Sequence, residues 1–114
     1  MSKKIKIIAA IVLLILIASP VVGYFLAKGS EPFQYSKQAI ERSALVKDAL
    51  GKVKEVNLAP FGYSVKYSGP QGWAEFETEV IGDKGHGTLQ IKLEKNLGAW
   101  KIIGARLNGN QISL

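Results

Sequence analysis

The chain has 114 residues, no cysteine and a formal net charge of +6. Without a thiol there is no disulfide, no thiolate catalysis and no cysteine-ligated zinc or copper. The charge is no nucleic-acid signature either: four lysines fall within the first 29 residues, leaving eleven basic residues against nine acidic ones beyond, mixed in sign.

Those four lysines bracket an uncharged stretch. Residues 7–27, "IIAAIVLLILIASPVVGYFLA", number 21, and as a helix they reach about 31 Å, the thickness of a bilayer's hydrocarbon core. A buried helix of a soluble protein rarely runs so far without a polar face, so the pattern predicts a transmembrane helix. Lys3, Lys4 and Lys6 precede it, and Lys28 and then Glu31 follow. The positive-inside bias places residues 1–6 in the cytoplasm and the remainder outside it. A cleaved signal peptide is the competing reading. Against it, the apolar run exceeds a typical h-region, and "FLAKG" puts Phe25 where cleavage wants a small residue. Pro20 and Gly23 are tolerated within membrane spans.

Residues 28–34 read as a short polar linker, in which Ser30 suits a helix cap, with Glu31 and Pro32 in the first turn. Residues 35–114 read as one extracytoplasmic domain. From Tyr35 to Leu50 the apolar spacing is helical, with Tyr35, Ala39, Val46 and Leu50 on one stripe and Ile40 and Ser43 beside it. This predicts one amphipathic helix, or two short ones breaking near Ser43, ended by Gly51 as a left-handed cap.

After Gly51 the period becomes two. Val53, Val56 and Leu58 begin a strand that Pro60 and Gly62 interrupt, and Tyr63, Val65 and Tyr67 resume it. "GPQG" at 69–72 is a turn. Residues 73–81 then alternate strictly, with Ala74, Phe76, Thr78 and Val80 against Trp73, Glu75, Glu77 and Glu79. Leu89, Ile91 and Leu93 share a face of the next strand. "NLG" at 96–98 turns the chain, and Trp100 and Ile102 lead to Ala105 and Leu107. The phase slip at Ile103 and Gly104 predicts a bulge. Asn108-Gly109 is a hairpin signal before a last short strand. The expected fold is α+β: one amphipathic helix packed on an antiparallel meander of five or six strands.

"GDKGHG" at 82–87 holds the only histidine, His86. If 82–85 is a loop, flanking residues pair so that Phe76 faces Ile91, Thr78 faces Leu89 and Glu75 faces Lys92. Every side chain on both strands then has a sensible partner. Asp83 fits as a turn residue bonding its own backbone. A metal would need two to four ligands of suitable type, and His86 reads as a lone surface histidine. The fragment lacks the ending of a phosphate-binding loop. Glu75, Glu77 and Glu79 read as a solvated sheet face rather than an acid/base set. Trp100 falls on an inward position, and Trp73 at a strand start is open. The reading assigns no catalytic, cofactor-binding or metal site, and expects no cofactor.

"Y(x3)AIERSALVKDALG" at 35–51, followed by "GWAEFETEVIGDKGHGTLQIKLEKNLGAW" at 72–100, resembles the cytochrome oxidase assembly protein 1 family, especially its bacterial members. The positions carrying the resemblance are Leu50, Gly51, Gly72, Ala74, Gly82, Lys84, Gly85, Gly87, Gly98 and Trp100. Val53 and Lys54 depart from the Pro-Ile type pair common after the Leu-Gly. The motifs are structural glycines and hydrophobics, so the resemblance implies a fold more firmly than an activity. It implies a non-enzymatic assembly factor in a bacterial inner membrane, crossing once, with a membrane-protein partner such as a respiratory oxidase subunit. The alternative expectation is an extracytoplasmic domain that binds a ligand or lipid between its helix and its sheet.

Overall fold

The computed structural model describes residues 2–114. Its elements run α1 (Lys3–Lys28), α2 (Glu31–Arg42), α3 (Ala44–Leu50), β1 (Val53–Ser68), β2 (Gln71–Gly82), β3 (His86–Asn96), β4 (Ala99–Leu107) and β5 (Asn110–Ile112). All five strands pair antiparallel with their chain neighbours, in the order β1-β2-β3-β4-β5. The fold is α+β, with α2 and α3 lying on one face of the meander.

Helix α1 extends past the apolar stretch at both ends. Ser2 caps it, its hydroxyl accepting from the Ile5 amide. Its 26 residues give about 39 Å of length, and it is the one helix among the described residues long and apolar enough to cross a membrane. Every α1 side chain up to Val22 is exposed, so the helix is not the core of a soluble domain. The last turns differ. Gly23 and Tyr24 are half-buried, Ala27 is buried, and the Tyr24 hydroxyl donates to the Leu58 carbonyl at 3.0 Å. Of residues 28–34, only Gly29 and Ser30 lie between helices; the stretch read as a linker is mostly the first turn of α2.

The covering helix is two helices. Ser43 has extended backbone, φ −71° and ψ 121°, and serves both sides of the break. It ends α2, and its hydroxyl accepts from the Val46 amide to start α3. A serine offers the backbone this competing bond, which is why a helix can restart there. The break also corrects the expected stripe. Tyr35 is exposed and Ala39 only half-buried, whereas Phe33, Ser36 and Ile40 face the sheet. Because α2 begins at Glu31, the i, i+3, i+7 row starts at Phe33. After Ser43 the phase resets, and Val46 and Leu50 take the inward positions.

Phe33 meets Phe76 edge-on at 5.3 Å between ring centres. Around this pair lie Ile40, Val46, Leu58, Ala74, Val80, Leu89, Ile91 and Leu93, all at most 2% exposed. Burial of each large side chain stabilises by about 1.5–3 kcal/mol. Ser36 and Thr78 are the buried polar residues, their hydroxyls donating to the Pro32 carbonyl at 2.8 Å and the Leu89 carbonyl at 3.0 Å.

The β2–β3 register is the expected one: Phe76 faces Ile91, Thr78 faces Leu89 and Glu75 faces Lys92. Two strands carry bulges. In β4, Ile103 is the extra residue between the Lys92–Gly104 and Leu93–Ile102 pairs. In β1, the pairs Leu58–Thr78 and Tyr63–Phe76 leave residues 59–62 opposite Glu77 alone. The strand is not ended by Pro60 and Gly62 but arches outward there.

Candidate functional site

Three places gather the residues that the sequence singles out. The first is the junction of α3 with the β2–β3 turn. The turn closes on itself through the Gly82 amide and the Gly85 carbonyl, at 2.8 Å. It then docks on the chain leaving α3. The Asp83 amide donates to the Lys52 carbonyl at 3.1 Å, the Lys84 amide to the Leu50 carbonyl at 3.0 Å, and the Lys52 amide to Asp83 Oδ1 at 2.9 Å. Asp83 therefore holds the neighbouring segment, not its own backbone. Gly51 adopts φ +80°, and a side chain there would run into the Asp83 carboxylate. At Gly82 a methyl group would collide with the Leu50 carbonyl. Leu50, Gly51, Gly82 and Lys84, spread over 35 positions of sequence, thus meet in one backbone clasp.

A second group surrounds Trp100. A Cβ on Gly72 would lie 3.0 Å from the edge of its indole. Tyr67 packs edge-on against it at 6.0 Å, and the Lys95 ammonium lies 5.9 Å from both ring centres. Ala74 is in the core, and Trp100 Nε1 is buried with no hydrogen-bond partner. Gly87 passes under the Asn108 side chain, whose oxygen accepts from the Thr88 amide at 2.9 Å. Gly98 sits in the β3–β4 turn, and Gly85 has open space around it. The ten family-pattern positions thus fall at contacts between elements, at turns and in the core.

The third place is the outward sheet face. His86 opens β3 with its side chain 76% exposed, and Nδ1 lies 3.9 Å from a Glu79 carboxylate oxygen. Glu75 and Lys92 stand 3.7 Å apart, both about two-thirds exposed. No three potential metal ligands converge among the described residues. Between Phe61 on the β1 arch and Arg106 on β4 lies a concavity of about 570 Å3, floored by Gly104 and edged by Glu75, Glu77 and Lys92. It opens on the face away from the helices. The helix–sheet interface, where the alternative reading expects a ligand, is filled by Phe33, Ile40, Val46 and Leu50.

Two residues that the sequence reading passed over stand out. Tyr24 belongs to the apolar run by composition, yet it ties α1 to β1. Phe61 is 85% exposed on its arch. The available signal was an aromatic residue between two strand breakers, Pro60 and Gly62. Comparison of the chain with protein-family models, with curated proteins and with solved structures finds no match.

Proposed function

We propose that this chain is a single-pass membrane protein whose outer domain is a non-enzymatic interaction module, serving the assembly or stabilisation of a membrane complex. The observation that carries the reading is the join between span and domain. Helix α1 is not tethered by a flexible linker; its last turns enter the domain core through Ala27 and bond β1 through Tyr24. A domain held at a fixed height and angle on its membrane helix is suited to meeting other membrane proteins. A secreted enzyme released to find its substrate has no use for such a join.

Other features lend support. The polar side chains of the outward face are exposed and spread along the strands, and the family-pattern residues build the fold. The resemblance to the cytochrome oxidase assembly protein 1 family favours a respiratory oxidase subunit as partner. The lysine bias before α1 favours an N-terminus in the cytoplasm and a domain outside an inner membrane. The filled helix–sheet interface weighs against a ligand bound there.

Crosslinking in native membranes, followed by detergent extraction, affinity purification and mass spectrometry, tests the reading. The expected result is one membrane protein recovered reproducibly with the chain. Recovery of nothing beyond what an unrelated single-pass protein brings down would count against it.

A further inference from the structure

The arch in β1 lies where the domain meets the bilayer. Along α1 the first side chains to leave the exposed state are Gly23 and Tyr24. Both touch the arch's two feet: Tyr24 bonds the Leu58 carbonyl, and the Tyr63 hydroxyl packs against Gly23. Residues 59–62 span the gap between those feet, so the Phe61 backbone stays within about 7 Å of the Tyr63 foot by chain length alone.

The bilayer boundary falls at the same level. A hydrocarbon core takes about 20 helical residues. Counted from the last lysine of the N-terminal cluster, Lys6, that length ends near Leu26. Only Gly29 and Ser30 separate α1 from α2, so nothing lifts the domain off the surface. The arch's feet touch α1 at Gly23 and Tyr24, about 3–5 Å before Leu26 along the helix, at the hydrocarbon edge where an interfacial layer of about 5–8 Å begins. Strand β1 is also the outer edge of the sheet, the one on which α1 rests.

The chemistry of the arch fits this placement. Pro60 cannot donate to a ladder, and at Gly62 a Cβ would press on Glu77 and Ala59, so the backbone swings out and presents Phe61. Phe25 of α1, edge-on to Tyr24 at 5.7 Å, is exposed as well. An exposed phenylalanine held beside a membrane span offers an apolar ring to the headgroup–acyl boundary.

We infer that the β1 arch is a membrane-interface contact, in which Phe61 enters the headgroup–acyl boundary of the bilayer that α1 crosses and fixes the tilt of the domain on it. The occupant of this exposed apolar surface is lipid, not a second protein. The inference rests on α1 spanning a membrane and on no particular partner.

Because the chain has no cysteine, single cysteines carrying an environment-sensitive fluorophore read depth directly. The full-length protein is reconstituted in phosphatidylcholine vesicles with and without brominated acyl chains. Three labels are compared: Leu14→Cys in the span, Pro60→Cys beside an intact Phe61, and Leu97→Cys on the β3–β4 turn. The expected result is quenching by brominated lipid at positions 14 and 60 and none at 97, with the quenching at 60 lost when Phe61→Ala is added. Quenching at 14 without quenching at 60, or equal quenching at 60 and 97, overturns the arch contact while leaving the anchor in place. No quenching at 14 removes the anchor, and the arch contact with it.

Discussion

Gly51 and Gly82 hold the end of α3 against the β2–β3 turn, and they do so for different reasons. Gly51 takes a left-handed φ of +80°, which costs any other residue backbone strain. Gly82 has room on neither side, because the Leu50 carbonyl fills the place of its missing side chain. That carbonyl is also the acceptor for the Lys84 amide, so pushing it away breaks a second bond. Gly82→Ala is therefore expected to cost about 2–3 kcal/mol of domain stability. Gly85→Ala, three positions on with open space around it, should stay within about 0.5 kcal/mol of the unaltered chain. Urea unfolding of the full chain in detergent micelles, followed by tryptophan fluorescence, compares the two. Equal effects would mean that the clasp is not what these glycines serve. The outward face behaves differently. Glu75 and Lys92 are both about two-thirds exposed at 3.7 Å, and such pairs contribute about 0–1 kcal/mol. Glu75→Gln should shift the unfolding midpoint barely at all, and a large loss would point to a role that a solvated ion pair does not have.

At the level of elements, the parts legible in the sequence were those with a strong local period or a forced turn. The alternation of residues 73–81 and 88–93 fixed both faces of β2 and β3, and with the loop at 82–85 it fixed their register to the residue. The bulge at Ile103 was visible because the inward positions skip a beat there. The helices were harder. The inward row of α2 was misplaced by two positions, since Phe33 looked like linker and the true start at Glu31 depends on capping by Ser30, whereas Val46 and Leu50 of α3 lie inward as expected. The arch of β1 was not legible: Pro60 and Gly62 look the same in a sequence whether they end a strand or bend it outward, and only pairing on both sides of the arch tells the two apart. Nor was the seating of α1 legible, because Tyr24 and Ala27 satisfy an apolar run as well as a protein core. The seating gives the third prediction. Tyr24→Phe keeps the ring and removes the bond to Leu58, which should cost about 1 kcal/mol in the same unfolding assay. Membrane extraction should be unchanged, since the apolar run is untouched. A neutral substitution would show that the join depends on Ala27 packing alone.

The whole molecule is 62 Å long and only 20 Å thin in its smallest direction, and α1 contributes about 39 Å of helix. Its charge is as uneven as its shape. Three lysines stand before the span and one stands directly after it, while the domain beyond mixes its signs. For a chain inserted by the positive-inside bias this asymmetry decides the side on which the domain sits. The prediction is read with single cysteines in a chain that otherwise has none. On intact cells expressing the full chain, a membrane-impermeant maleimide should label Leu97→Cys and leave Ser2→Cys unlabelled until the membrane is opened. Both sites are exposed, so a difference between them reports sidedness and not burial. Replacing Lys3, Lys4 and Lys6 by Gln removes the bias while Lys28 remains, and should yield a mixed population in which Ser2→Cys becomes partly reactive. If Ser2→Cys labels on intact cells and Leu97→Cys does not, the domain faces the cytoplasm. The lysine cluster would then have some other task, and partners for the outward sheet face would have to be sought among cytoplasmic surfaces.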